Sequence, residues 1–306
     1  MDLPFFKKET TLPPRQYLFA IEISPAIVKS AIWSVINNKT QVLSVGCAAT
    51  WDDQTTESLI AAVDQTITDA VSHLDPSGKI QPEQVIFGLS PNWVGQDKIH
   101  PDKLQLLKDL SSQLELKPVG FVITPEAVVK FLAHTENVPS TAILLGFWPH
   151  QLEVTLVRMG KIDGIQTVQK SSHLADDVVE GLSRFPHVDI LPSRMLLYDS
   201  GLDLEEIKQL LLEHPWQAPQ KRLPFLHFPK IEILPADFTV RAIALSGGTE
   251  VARAIGLVGS DSTDHADHAD SADTADAADL GFVTDADVRD LHPTPPPPAS
   301  PTAPLS

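Results

Sequence analysis

The chain has 306 residues, 42% of them hydrophobic, enough for one large domain or two of ordinary size. Its formal net charge of -17 argues against a nucleic-acid-binding surface, because phosphate backbones are held by Lys and Arg. The single cysteine, Cys47, cannot form an intramolecular disulfide, and its apolar neighbours predict a buried thiol in a cytoplasmic protein. The sequence contains no run of about twenty apolar residues, so it predicts no transmembrane segment.

The first half of the chain alternates between strand-like and helix-like segments. Three runs rich in β-branched or aromatic residues come first, at residues 17–24, 27–36 and 40–48. Residues 56–74 then carry apolar side chains at helical spacing, with Thr55 or Thr56 as the N-cap. The remaining predicted elements are a strand at 84–90, a helix at 101–116, a strand at 119–124 and a helix at 125–134.

The second half repeats this order. Its predicted elements are strands at 141–147, 152–159 and 161–169, a helix at 174–185, a strand at 194–200, a helix at 203–214, a strand at 230–235 and a final helix near 237–245. A βββαβαβα unit with right-handed crossovers forms a mixed sheet with helices on its faces, the ribonuclease H-like arrangement. We therefore predict an α/β fold of two ribonuclease H-like subdomains, whose first turns face a shared cleft.

Composition divides the chain into four predicted regions. They are an N-terminal extension at 1–16, the first subdomain at 17–138, the second subdomain at 139–259 and a tail at 260–306. Residues 261–290 hold ten Asp against one Arg, and a proline-rich run follows. This composition predicts a disordered tail that is dispensable for folding. Its apolar island at 280–288 is interpreted as a short docking peptide for a partner.

Five segments resemble motifs of one family, in a consistent order. They are two hairpin turns at 22–29 and 146–154, the segment "TPEAVVKFLA" at 124–133, the segment "SSHLADDVVEGL" at 171–182 and the segment "LLYDSGLDLEEIKQLL" at 196–211. Together they resemble the phosphate hairpins, the connecting segment, the helix start and the adenosine motif of the actin-like ATPase superfamily. The most similar branch contains the PilM and FtsA proteins of type IV pilus assembly and cell division.

The resemblance implies a nucleotide site in the cleft, with ATP and Mg²⁺ as its cofactors. The cofactor-binding residues that it implies are Glu22, Ser24, Lys29, Gly146, His150, Ser200 and Gly201. Alternatives remain for three of them. Glu22 is either a vestigial metal-directed carboxylate or a polar residue at a strand end, Lys29 is either a site residue or a solvent-facing lysine, and His150 is either a phosphate ligand or a surface histidine.

Both predicted phosphate turns depart from the family pattern. Pro25 and Pro149 lack the backbone N–H that a phosphate-binding turn needs. Gly146 stands where the family has a second metal-directed aspartate, and Trp148 crowds the space for a phosphate. We therefore assign no catalytic residue and no metal ligand.

Three functions remain open from the sequence. The one that we favour is a degenerate actin-like scaffold that recruits protein partners, including membrane-associated pilus or division components. The second is an ATPase with an altered phosphate site. The third is a kinase of the sugar or acetate kinase type, for which no clear catalytic aspartate is visible.

A second glycine pair also resembles an adenosine motif. Gly247 and Gly248 lie in "IALSGGTEVARAIG", where they could line a purine. Chain order favours the earlier site at Ser200 and Gly201, because only there do enough elements follow to complete the second subdomain. The later pair is interpreted as a break between two short terminal helices.

Overall fold

The computed structural model of the protein describes residues 16–254, except residues 38, 97, 187, 199–202 and 217–222. The predictions for the tail, for the N-terminal extension at residues 1–15, and for Ser200 and Gly201 therefore lie outside the described residues.

The first half of the chain forms a mixed sheet with the strand order β3-β2-β1-β5-β8. Its strands are β1 (Leu18–Ser24), β2 (Ile27–Ile36), β3 (Lys39–Val45), β5 (Gln84–Leu89) and β8 (Lys117–Ile123), with the short β4 (Ala49–Thr50) beside β2. The first three strands are antiparallel, and β5 and β8 continue the sheet in parallel. The helices are α1 (Thr56–Leu74), α2 (Pro101–Gln113) and α3 (Thr124–Glu136), and a small hairpin of β6 (Val94–Gly95) and β7 (Lys98–Ile99) follows a 3-10 turn at Pro91–Trp93.

The second half repeats this topology with the strand order β11-β10-β9-β12-β13. Its strands are β9 (Ala142–Phe147), β10 (Gln151–Arg158), β11 (Lys161–Gln169), β12 (Arg194–Tyr198) and β13 (Lys230–Ile233). Its helices are α4 (Leu174–Ser183), α5 (Leu204–Glu213) and α6 (Phe238–Ala254). Strands β9 to β11 are antiparallel and β12 and β13 are parallel additions, so the predicted duplication of a ribonuclease H-like unit is confirmed.

Helices α3 and α6 lie between the two sheets, and the other long helices cover the outer faces. One apolar cluster joins side chains of both sheets to α3 and α6. A second cluster packs α1 and α2 on the first sheet, and a third packs α4 and α5 on the second sheet. The space between the sheets is therefore a continuous core, into which residues from both halves project.

Strand alternation decides which residues reach that central space. On β1, Leu18 and Ala20 belong to the central cluster, whereas Phe19 and Ile21 belong to the outer one. Successive side chains of a strand point to opposite faces, so Glu22 also faces the central space. The same alternation places Gly146 of β9, Glu153 of β10 and Tyr198 of β12 on the central face.

Two of the hairpin turns place a residue other than glycine at positive φ. Between β1 and β2, Pro25 is followed by Ala26 at a φ of 69°, which matches a type II turn. Between β10 and β11, Met159 and Gly160 both have positive φ, 50° and 76°, as in the type I′ turn that suits a two-residue hairpin. Pro25 fixes the φ that the second position of such a turn requires.

Helix α6 runs without a break through Gly247 and Gly248, so the predicted break between two terminal helices is wrong. The glycines are needed for close packing instead. A Cβ on Gly247 would lie 2.1 Å from Ile86 Cδ1, and one on Gly248 would lie 3.0 Å from Thr40 Cγ2. The absence of side chains lets the helix approach the first sheet, which offsets the low helix propensity of glycine.

The thiol of Cys47 is exposed, so the prediction of a buried cysteine is wrong. The chain leaves the sheet after β3, and the backbone N–H of Cys47 donates to Asp69 Oδ2 on α1 at 2.7 Å. The apolar neighbours in sequence therefore do not surround the side chain. Partial burial and the negative charge of Asp69 raise the pKa of the Cys47 thiol, which disfavours the nucleophilic thiolate.

Candidate functional site

The turns that open the two halves face each other across a small pocket, as the sequence predicts. The pocket has a volume of about 220 Å³ and is lined by Pro25, Ala26, Trp51, Asp52, Asp53, Trp148, Pro149, His150 and Gln151. These residues come from the β1–β2 turn, the segment between β4 and α1, and the β9–β10 turn. The pocket therefore joins both halves of the molecule at the place where the family resemblance implies phosphates.

Beneath the pocket, equivalent positions of the two sheets form two rows across three strands. In the first sheet, strand pairing aligns Lys29, Glu22 and Gly88. In the second sheet, it aligns Glu153, Gly146 and Tyr198. The carboxylate lies on the first strand of one unit and on the second strand of the other. Position 146, where the family resemblance implies an aspartate, is therefore a glycine with a glutamate directly beside it.

Glu22 and Lys29 are both buried and both contact the start of α6. The exposed fractions of their side chains are 1% and 4%. Thr239 Oγ1 donates to Glu22 Oε2, and Lys29 Nζ donates to the carbonyl oxygen of Ala236 at 2.8 Å. The interpretation of Lys29 as a solvent-facing lysine is therefore wrong, because α6 covers this face of the strand. Ser24, also buried, donates to the carbonyl oxygen of Ile27 at 3.0 Å within its own turn.

Tyr198 and Trp148 fill the space over Gly146. A Cβ on Gly146 would lie 2.4 Å from the hydroxyl oxygen of Tyr198, so no larger residue fits there without movement. Trp148 packs edge-on against Tyr198, with ring centroids 6.1 Å apart. Both side chains are almost fully buried in the central cluster. Position 146, for which the resemblance implies a metal-directed aspartate, is thus covered by side chains of the hydrophobic core.

Glu153 carries a carboxyl group with a raised pKa. The pKa of Glu153 is raised from 4.5 to about 7, because burial and, to a smaller extent, the nearby charge of Glu22 raise it by more than the hydrogen bond from Tyr198 lowers it. The phenol of Tyr198 donates to Glu153 Oε1 at 2.7 Å. Burial and the two carboxylates raise the pKa of Tyr198 well above its ordinary value, so the phenol keeps its proton. A neutral donor therefore holds a carboxyl group that titrates near neutral pH.

The residues of this site do not fit a magnesium–triphosphate complex. Magnesium requires oxygen ligands in near-octahedral geometry. Only Glu22 occupies a predicted metal-directed position, and one of its oxygens already accepts from Thr239. In the second turn the N–H of Trp148 donates to Gln151 O at 2.8 Å, and Pro149 has no N–H to offer a phosphate. Among the described residues, no group of three or more His, Cys, Asp or Glu side chains could hold a metal ion.

The structure brings together most residues that the sequence singled out, but through different contacts. Glu22, Lys29 and Gly146 lie at the central face, and His150 lines the pocket. Sequence analysis missed Glu153, although a carboxylate within the apolar run of β10 signals a buried polar site.

Within the described part of the chain, no helix is long and apolar enough to cross a membrane.

The architecture is that of the actin-like ATPases: two ribonuclease H-like units with one helix from each between the sheets. The chain is similar to a solved structure described as the PilM–PilN type IV pilus biogenesis complex, with a TM-score of 0.51 and 11% identity over 78% of this chain and 97% of that chain. At this identity, the likeness shows the fold alone.

Two further structures have lower scores. The ethanolamine utilization protein EutJ from Carboxydothermus hydrogenoformans has a TM-score of 0.47 and 13% identity over 76% of this chain and 90% of that one. A Bacteroides thetaiotaomicron protein described as having an actin-like ATPase fold and unknown function has a TM-score of 0.44 and 11% identity over 74% and 95%. No protein-family model and no curated protein matches the sequence.

Proposed function

We propose that the protein is a catalytically inactive actin-like scaffold that recruits protein partners. The observation that carries the proposal is the packing of Tyr198 over Gly146, where a Cβ would lie 2.4 Å from the phenol oxygen. Phosphoryl transfer depends on preorganised donors and metal ions at the transferring group. Here an aromatic side chain in the core replaces that machinery.

The two turns support the same conclusion. Pro25 and Pro149 supply no N–H groups, and the N–H of Trp148 is used within its own turn. Loss of one comparable donor in another enzyme costs on the order of a hundredfold in rate. Several such losses leave no useful turnover.

The proposed partners are proteins of a membrane-associated assembly, such as pilus or cell-division machinery. The PilM–PilN structure, by its description, holds a pilus biogenesis complex. By analogy with it, we propose that this chain works in the cytoplasm and reaches the inner membrane through its partners.

The direct test is titration calorimetry with Mg-ATP, together with a phosphate-release assay on metal-free and magnesium-loaded protein. We expect no turnover above background and no micromolar binding. A thermal-shift series gives a second measurement, because a ligand at one hundred times its dissociation constant stabilises the native state by about 2.7 kcal/mol. Micromolar binding with magnesium-dependent turnover that Glu22→Ala abolishes would overturn the scaffold function.

A second candidate is an ATPase with an altered phosphate site, and one observation favours it. Glu22 and Glu153 both face the central space and interact electrostatically, so two carboxyl groups remain between the sheets. In this case turnover would depend on both residues, and Glu153→Gln would abolish it as Glu22→Ala does. Binding of Mg-ATP without turnover would instead make the nucleotide a structural ligand of the scaffold.

A further inference from the structure

We infer that the pocket between the two turns binds a basic side chain, an arginine or lysine, of a protein partner. The inference rests on the proposed function, because it assigns the cleft to partner binding instead of phosphoryl transfer. Three features carry it: an available carboxylate, aromatic walls, and a buried donor without an acceptor.

Asp53 supplies the carboxylate. Among the described residues it makes no hydrogen bond and no ion pair. Partial burial is the largest cause that raises its pKa. The neighbouring Asp52 differs, because its carboxylate accepts from the N–H groups of Gln54 and Thr55 and from the Thr55 hydroxyl. Asp53 has a φ of 57°, a left-handed conformation that an Asp or Asn tolerates better than most residues. Its acceptor oxygens therefore remain for a ligand.

Trp51 and Trp148 supply the aromatic walls. The indole N–H of Trp51 donates to the carbonyl oxygen of Ser24 at 2.9 Å, which fixes the ring against the β1–β2 turn. Guanidinium and ammonium groups bind favourably over aromatic rings, and arginine does so more often than lysine. A carboxylate beside fixed aromatic rings is thus suited to a cation.

Trp148 is almost fully buried, with an exposed fraction of 2%, and its indole N–H lacks an acceptor within the described residues. A buried donor left without an acceptor costs free energy, and a carbonyl oxygen that reached it from the pocket, which Trp148 lines, would recover it. A peptide carries such a carbonyl next to every side chain. The donor and the carboxylate together therefore match a basic residue within a peptide better than a free metal ion.

The size and charge of the site agree with this occupant. Its volume of about 220 Å³ is below the roughly 300–1,000 Å³ of pockets for drug-sized ligands. This volume suits one large side chain better than a nucleotide. The net charge of -17 also favours the approach of a basic partner.

Two side chains of the chain itself, a lysine and a histidine, lie near the carboxylate. Lys103 and His150 both interact electrostatically with Asp53. Lys103 Nζ lies over the ring of Trp93, 5.0 Å from its centroid, and forms no ion pair with Asp53. A partner cation therefore competes with Lys103, and removal of Lys103 should strengthen its binding.

The test is NMR titration of the full chain with N-acetyl-L-argininamide, which presents a guanidinium and peptide carbonyls. The neutral isostere N-acetyl-L-citrullinamide is the control ligand. We expect saturable binding in about the millimolar range, with the largest shift at the indole N–H of Trp148, assigned with Trp148→Phe. The citrulline compound should bind at least about tenfold more weakly, because hydrogen bonds to charged groups are the stronger ones.

Three variants extend the test. Asp53→Asn keeps the left-handed backbone and removes the charge, and it should weaken binding of the arginine compound about tenfold or more. Asp109→Asn makes the same charge change outside the pocket and should leave binding unchanged. Lys103→Gln should bind the arginine compound severalfold more tightly.

Equal binding of the two compounds, unchanged binding by Asp53→Asn, or the absence of any shift at Trp148 would each overturn the inference. None of these results bears on ATP. Conversely, magnesium-dependent ATP turnover would overturn the proposed function, whatever the arginine compound does.

Discussion

Glu153→Gln tests the polar cluster between the two sheets. Burial is the largest cause that raises the pKa of Glu153 from 4.5 to about 7. One pKa unit corresponds to about 1.4 kcal/mol, so the difference between the two values corresponds to roughly 3 kcal/mol of folding free energy. Glutamine keeps the shape of the side chain and an acceptor for the phenol of Tyr198, but it does not titrate.

The sign follows from which state holds the proton. Between pH 4.5 and about 7, the folded chain keeps a proton on Glu153 that the unfolded chain has released. The contribution of the neutral Glu153 carboxyl to the free energy of unfolding is fully present below pH 4.5. This contribution is lost as the pH rises through about 7. The glutamine variant loses nothing in this window. Its free energy of unfolding should therefore gain roughly 3 kcal/mol on that of the parent protein as the pH rises.

Urea unfolding of both proteins at pH 5, 6, 7 and 8 measures this gain. Subtracting the free energy of unfolding of the parent protein from that of the variant at each pH removes the contribution of the other carboxylates, which both proteins share. Glu213→Gln, at the exposed end of α5, is the matched control and should show a small difference that does not change in this way. If the difference between Glu153→Gln and the parent protein stays constant from pH 5 to 8, Glu153 is not a buried carboxyl and the geometry of the central face is wrong.

Three other substitutions test the packing around the site, each by urea unfolding. Gly247→Ala should destabilise the chain by about 1–3 kcal/mol, because the added methyl group meets Ile86; an unchanged midpoint would show that α6 lies farther from the sheet. Gly146→Ala should cost a similar amount, because the methyl group overlaps the phenol of β12; a neutral result would mean that the phenol moves freely. Thr239→Val removes the hydroxyl that donates to Glu22, which should cost about 1–3 kcal/mol; full stability in the variant would argue against that hydrogen bond.

The sequence predicts the repeated units well because their signals are local. Helix α1 spans Thr56–Leu74 with Thr55 as its N-cap, as helical spacing and capping preference predict. Strand order and the facing turns then follow from the handedness of the crossovers. The contacts within the site are different, because they join distant positions. Thr239 and Glu22 are 217 residues apart in sequence, and only the packing of α6 brings them together.

The wrong prediction of a helix break at Gly247 and Gly248 has the same cause, namely contacts between positions that are distant in sequence. Gly247 and Gly248 have low helix propensity, so a local argument predicts a break. Their function in α6 depends on the side chains of β3, β5 and β8 that the helix meets. Cys47 is the converse case: its apolar neighbours suggest burial, but the chain leaves the sheet at that residue. Tertiary contacts overrule local preference at both places.

The two sheets use equivalent positions in opposite ways. In each row one glycine makes room for a bulky side chain: Gly88 for Ile243 of α6, and Gly146 for Tyr198. The first row keeps its glutamate in contact with α6, whereas the second row places Glu153 under the phenol. An aspartate at position 146 would compete with that phenol for space, and removing the phenol would take away the donor to Glu153. The close packing of the second row and the departure from a phosphate site are therefore one structural change, which supports a scaffold over a repaired ATPase.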